Sequence, residues 1–336
     1  MTLLCLTSCT LLTSHSSPIE REATANFFAM DTFITLTVYG NEAELALTAA
    51  KKKILELENI WSVTNTESEI YAINNNNGYA MKLTPYTADI ISFSLAMAEK
   101  TNGAFDITIF PILTAWGFAT GSFQIPIEEE IETLLSKTGH EQVVFENGYI
   151  TMPEYFQIDL GAIAKGYTLD IITELLNGYD ITSALINLGG DIKVIGSRPD
   201  GNRWRIGINN PFGNGNIGVL EITDRALTSS GNYGRYFIGE DGNQYGHIID
   251  PSTGRPVQNE LISVVVIGAD GKICDALSTA FFVMGVKQSI NFWRENDGFD
   301  FILLTNENEL FITEELKNDF TLNKNYMYIR MTVITK

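Results

Sequence analysis

The sequence predicts an α+β protein, mixed sheets with packed helices in one body or in two lobes around a central cleft. Three observations predict it. Apolar residues repeat with a period of two in some stretches and of 3.6 in others, and the two kinds alternate along the chain. No internal repeat or long low-complexity linker interrupts them. The chain is 336 residues long and 45% hydrophobic, enough to bury a large core.

Taken in order, residues 10–25 read as a flexible tether, and 26–336 as the folded domain. "FFAMDTFITLTVYG" (27–40) alternates as a strand and closes at Gly40. Residues 41–62 have helical spacing, with Asn41 at the N-cap and acidic residues in the first turn. Residues 63–78 form a polar loop ending in an Asn run. Residues 84–103 predict a helix capped by Thr84, with Pro85 at its first position and Gly103 past its end. A short acidic helix follows over 127–137, then strands over 142–146 and 149–151. "GAIAKGYTLDIITELLNG" (161–178) predicts a helix, 183–196 a strand pair and 203–211 a strand. Residues 218–231 and 234–254 continue as strands joined by turns. Helices are expected over 273–286 and 287–295, and strands over 299–304, 309–312 and 325–334.

The balance of 22 Lys and Arg against 41 Asp and Glu gives a net charge of −19. No basic stripe exists for a nucleic-acid backbone, which excludes that partner. An anionic substrate must be met locally, by a metal ion, a helix N-terminus or a few cations. Three His and three Cys leave little room for a Cys/His zinc site, so a metal here would be a hard ion such as Mg²⁺ on oxygen ligands. Cys274 is expected to pack as a small apolar residue.

The first seventeen residues are apolar, then rich in Ser and Thr, without a basic n-region and too short to span a bilayer. Leu6-Thr7-Ser8-Cys9 is similar to a bacterial lipobox, whose Cys is lipidated after signal cleavage. That reading anchors the protein to the bacterial membrane, outside the cytoplasm, through Cys9; a frayed tail with incidental cysteines is the alternative. The missing basic residues fit a start codon placed late.

Some motifs fail on context. "GNGNIG" (213–218) fits the dinucleotide pattern, but a β-like run follows where a helix is required. "DGNQYGHIIDPS" (241–252) ends in Ser252 instead of the Glu a calcium loop needs. Others survive. Asp159 stands at a strand end before a helix carrying Lys165, either a generic anion site or a capped helix with a solvated lysine. Gly189-Gly190 before Asp191 allow either close approach of a ligand or a bulge. His247 precedes the rigid turn of Asp250-Pro251, which would hold it in place. Asp275 could simply cap its helix, but that leaves Thr279 without a task. One turn apart, their carboxylate and hydroxyl can both reach a Mg²⁺ ion.

In order, Met30-Asp31-Thr32, "GAFD" (103–106), "DLGAIAKGY" (159–167), "NLGGD" (187–191), "TSSGNY" (228–233), "GHIIDPSTG" (246–254) and "DALSTA" (275–280) resemble the ApbE family of FAD:protein FMN transferases. The resemblance covers about residues 26–320. It implies an enzyme outside the cytoplasm that binds FAD and Mg²⁺, breaks the pyrophosphate, joins FMN to an acceptor threonine and releases AMP. The acceptors implied are flavin-carrying subunits of membrane redox pumps and other secreted flavoproteins. It places Met30, Thr64, Ala104, Phe105, Asp106, Asp159, Lys165 and Ile249 against FAD. It gives the metal the Ala162 carbonyl and Asp275, Ser278 and Thr279. His247 is the candidate base for the acceptor hydroxyl, with Asp250 or Asp159 in reserve. Departures are Asp31 where many members have Gly, Ser278 where some have Ala, and Gly234 where Glu is frequent. An FAD pyrophosphatase releasing free FMN, or a surface lipoprotein storing FAD without turnover, are the alternatives; storage needs no metal.

Overall fold

The computed structural model describes residues 21–336. Cys9, its lipobox and residues 10–20 of the expected tether lie outside the described residues. The centre is a nine-stranded sheet whose strands lie side by side in chain order. They are β1 (Glu22–Ala29), β2 (Thr32–Gly40), β3 (Ile181–Leu188), β4 (Asp191–Ile195), β5 (Ala226–Ser230), β6 (Leu261–Gly268), β7 (Phe299–Thr305), β8 (Glu309–Thr313) and β9 (Arg330–Ile334). Neighbours are antiparallel except for the parallel pair β8 and β9.

Helices α1 (Ala43–Trp61), α6 (Ala164–Leu176) and α7 (Gly271–Glu295) cover one face of the sheet. Ala46, Ala50 and Ile54 of α1 meet Leu169 and Ile172 of α6 over Ile34, Leu36 and Ile186. Further along, Ala276, Leu277, Ala280 and Phe281 of α7 pack with Val264 and Val266. A three-stranded sheet of Trp204–Asn209, Asn216–Ile222 and Phe320–Leu322 covers part of the other face. Its Ile206, Ile208 and Leu220 pack on Leu227, Val265 and Ile302. Between β2 and β3 the chain leaves the sheet to build α2 (Glu69–Asn74), α3 (Pro85–Lys100), α4 (Phe110–Ala115), α5 (Glu128–Leu135) and a small sheet of Met81–Lys82, Val144–Glu146 and Tyr149–Thr151.

Several expectations need correction. Residues 22–25 are strand rather than tether, and 27–40 is a hairpin rather than one strand. Its turn is Met30-Asp31, both at positive φ (51° and 56°), the geometry of tight hairpins, carried here without the glycine that usually announces it. Glu42, not Asn41, holds the N-cap of α1; the Asn41 amide donates instead to Asp180 at 2.7 Å. The expected loop 63–78 contains α2, capped by the Ser68 hydroxyl accepting from Tyr71 N at 2.9 Å. Thr84 does not cap α3 with its side chain, because its hydroxyl donates to Glu69. The last strand begins at Arg330, after a turn of 3₁₀ helix at Lys324–Tyr326. The two helices expected over 273–295 are α7, broken at Gly285 (φ 75°, ψ 176°). Asn259 donates to the Phe282 carbonyl before the break, and Glu260 accepts from Val286 N after it.

Candidate active site

The strand register brings the Met30-Asp31 turn, the Gly189-Gly190 turn and the C-terminal end of β5 to one end of the sheet. Helix α6 starts there. Gly166 lets it cross α7 with backbones in contact, since a Cβ at Gly166 would collide with the Gly271 carbonyl and the Asp275 side chain. The crossing places the buried Asp275 carboxylate where it accepts Gly166 N–H at 2.7 Å. In an uninterrupted helix that N–H would bond the carbonyl four residues back, that of Ala162. The Ala162 carbonyl is left without a donor among the described residues.

Beside this crossing, Lys165 reaches the buried Asp191 at 2.7 Å. Burial disfavours its charge, but Asp191, Asp275 and Asp159 outweigh that and hold it protonated well above the usual lysine range. Burial pushes the Asp275 carboxyl up to about 7, with Asp191 and Asp170 adding to it and Lys165 opposing. Burial also raises Asp159, against Gly161 N–H, which it accepts at 3.0 Å, and the charges of Arg235 and Lys165. One lysine thus faces three carboxylates.

A negative surplus of this kind fits a hard cation. Among the described residues no three of His, Cys, Asp and Glu stand close enough to share one. An ion here would therefore rest on the Asp275 carboxylate with neutral oxygens. Those at hand are the Ala162 carbonyl and the half-buried Thr279 hydroxyl, which lies 3.4 Å from Ser230 Oγ. The Ser278 hydroxyl is fully buried, donates to the Asp275 carbonyl at 2.9 Å and meets Ser230 Oγ at 2.8 Å. These oxygens suit Mg²⁺ better than a softer metal.

His247 is half-buried, and its ring is fixed by Nδ1 against the Arg235 carbonyl at 3.1 Å. Only the protonated Nδ1 can donate to a carbonyl, which leaves Nε2 as the proton acceptor. Burial lowers its pKa to about 4, helped by the charges of Arg235 and Lys165. The imidazole is neutral at pH 7. Asp250 spends Oδ1 on the turn, accepting from Ser252 N at 2.8 Å and Ser252 Oγ at 2.7 Å, and Ile249 is buried beside it.

The other expected contacts differ in what they expose. Met30 N donates to Glu58 at 2.7 Å, fixing the hairpin turn on α1. Thr64 is exposed and its N–H bonds Ser62 Oγ at 3.2 Å. Ala104 is half-buried, whereas Phe105 lies in the core. Asp106 has both oxygens engaged, one with Thr108 N and Oγ1 at 2.8 and 2.7 Å, the other with His140 N at 2.9 Å. Its carboxylate holds the Ala104 segment in place. Three residues beyond the expected set join the site: Asp191, Ser230 and Arg235. Asp191 and Ser230 are marked in the sequence by the adjoining glycines and serines. Arg235 is marked by nothing, because its guanidinium acts on Asp159 and His247 through space.

Comparison with known proteins adds an independent line. The sequence profile of the ApbE family matches residues 30–303. An FAD:protein FMN transferase from Klebsiella pneumoniae is 29% identical over 307 residues, covering 89% of this chain and 94% of that protein. One from Vibrio cholerae is 31% identical over 242 residues, covering 70% and 72%. The crystal structure of an ApbE protein from Thermotoga maritima superposes with a TM-score of 0.80 at 29% identity, over 92% of this chain and 99% of that one.

Proposed function

Because the chain belongs to the ApbE family, we propose that it is an FAD:protein FMN transferase, with FAD as its substrate and a protein as its acceptor. The observation that supports the chemistry is the α6–α7 crossing, where the buried Asp275 carboxylate takes the Gly166 N–H and leaves the Ala162 carbonyl without a donor among the described residues, next to the Lys165–Asp191 pair. Phosphoryl transfer asks mainly for positioning and charge neutralisation. Mg²⁺ held by Asp275, Thr279 and Ala162, with Ser278 in support, would neutralise charge on the FAD pyrophosphate and fix its orientation.

The chain's own groups do the rest. Lys165 is charged at any physiological pH and can pass from Asp191 to a phosphate oxygen. Met30, Thr64, Ala104, Phe105, Asp106, Asp159 and Ile249 are proposed to frame the flavin and its phosphates, Phe105 and Asp106 by shaping the segment and not by direct side-chain contact. His247 Nε2 takes the proton of the acceptor threonine as its oxygen attacks the FMN phosphorus and AMP leaves. Asp250, whose Oδ1 accepts from Ser252, is proposed as the reserve base. The acceptor is proposed to be a flavin-carrying subunit of a membrane redox pump or another secreted flavoprotein. Lipidation of Cys9 would anchor the enzyme to the outer side of the bacterial cell membrane.

The test is incubation with FAD, Mg²⁺ and the flavin-carrying pump subunit from the same cell. Flavin fluorescence on the denatured acceptor band, with one FMN added to a threonine by mass spectrometry, is the expected result. Free FMN and AMP with no labelled protein would make it a pyrophosphatase instead.

A further inference from the structure

The three-stranded sheet ends in an open edge. Trp204–Asn209 pairs with Asn216–Ile222 on one side and, among the described residues, with no strand on the other. The register decides which way its backbone groups point. Glu221 N donates to the Asp319 carbonyl, and the Ile217 carbonyl accepts from Asn323 N, each at 2.9 Å. Odd-numbered residues of that middle strand therefore turn their backbone groups away from Trp204–Asn209. Arg205 lies opposite Glu221 and Gly207 opposite Val219, so their N–H and C=O groups turn outward, unpaired among the described residues. They open onto a groove of about 460 Å³. Its floor is the bare part of the central sheet, the face opposite α6 and α7, where Phe33, Leu185 and Asn187 lie. Phe33 is 60% exposed and stands across the hairpin from Phe28, 67% exposed.

We propose that this groove receives the acceptor protein, an extended segment of which pairs with Trp204–Asn209 as a fourth strand. The inference rests on the transferase reading and adds to it where the acceptor docks. Three observations name the occupant. A strand added here satisfies the outward N–H and C=O groups and lays alternate side chains over Phe33 and Leu185. In a chain of net charge −19, the described residues that line the groove include no carboxylate and one cation, Arg205, which meets Glu221 at 3.6 Å. It therefore suits a neutral segment, which meets no charge repulsion there. The groove also leads to the chemistry. Trp204 bonds the Gly196 carbonyl at the far end of β4, whereas Asn209 meets Tyr233, which lines the groove together with the Gly189-Gly190 turn. Asp191, the partner of Lys165, directly follows that turn. A docked strand can thus pass its following residues, and the threonine among them, to the site end of the sheet.

The experiment uses the full chain, FAD, Mg²⁺ and the flavin-carrying pump subunit as acceptor. Arg205→Pro removes one outward N–H from an edge strand, which tolerates proline. Phe33→Asp alters an exposed side chain and adds a charge without touching the core. Both are expected to lower kcat/KM for transfer at least tenfold through KM, while FAD cleavage without acceptor stays within twofold. Adding the acceptor should also slow amide exchange at Arg205 and Gly207. If the unsubstituted enzyme labels no acceptor, the transferase reading fails and takes this one with it. If it labels the acceptor and both variants match it, only the groove assignment is overturned. Two other results overturn it: a dimer that Phe33→Asp dissociates, which gives the groove to a second copy, or exchange at Gly207 that quickens when residues 1–20 are removed, which gives it to the chain's own start.

Discussion

Asp275 carries a conflict between folding and binding. Its carboxyl sits at about 7 in the fold, against an ordinary value of 3.8. A raised carboxylate stabilises the fold below the unfolded value and loses that contribution as pH rises through the folded one. The metal-free protein should accordingly lose stability between about pH 4 and pH 7 on account of this residue. Asp275→Asn, which keeps an acceptor for Gly166 N–H, is expected to raise the metal-free Tm at pH 8 by about 2–4 °C. The same variant should abolish the further rise that Mg²⁺ gives the parent, as calorimetry with and without the ion will read. His247 has the opposite sign. Depressed to about 4 from 6.5, it contributes stability above 6.5 that is lost as pH falls through 4. Its neutral imidazole predicts an acid limb of kcat/KM that lies below pH 6.5 in the metal-saturated enzyme. His247→Gln should cost about 10²–10⁴ in transfer rate with FAD affinity unchanged, measured by single-turnover labelling. Asp275 and His247 were both visible in the sequence by their motifs; their pKa values were not, because burial and through-space charges produce them.

At the scale of elements, the α6–α7 crossing depends on Gly166. Gly166→Ala must push two backbones apart and is expected to cost about 1–3 kcal/mol in urea unfolding. It should weaken Mg²⁺ binding as well, since the Asp275 carboxylate and Ala162 carbonyl would no longer converge. The helices themselves were legible, α1, α3 and α5 through period and flanking residues, and α7 as two helices whose boundary was placed one residue past Gly285. The Met30-Asp31 turn was hidden because it lacks the glycine that usually marks a two-residue hairpin, and Met30 takes positive φ there. Leu261–Gly268, the strand on which α7 packs, is buried on both faces, so it has no alternation for periodicity to find. The cap expected at Asn41 falls to Glu42, whereas Thr84 holds the N-cap position but not the side-chain cap bond; in both a longer-range partner, Asp180 or Glu69, captured the polar group.

For the whole molecule, the acidic excess is expected to make capture of an anionic substrate depend on cations. Removing divalent ions with a chelator is expected to weaken FAD binding at least tenfold, and to weaken it further at low ionic strength, where unscreened repulsion reaches further. Fluorescence titration of FAD at two salt concentrations reads both effects. Cys9→Ser should move the protein from the membrane fraction to the soluble fraction outside the cytoplasm. The order of the central sheet has a consequence for synthesis. Strands β1 to β9 are laid down in sequence, with residues 41–180 as one excursion between β2 and β3. Asp159 and Lys165 emerge on that excursion, whereas Asp275 and Thr279 follow more than a hundred residues later. A ribosome-bound or prematurely stopped chain thus holds only one jaw of the clamp. On the proposed site, a fragment that stops before Asp275 is expected to show no FAD binding in a fluorescence titration.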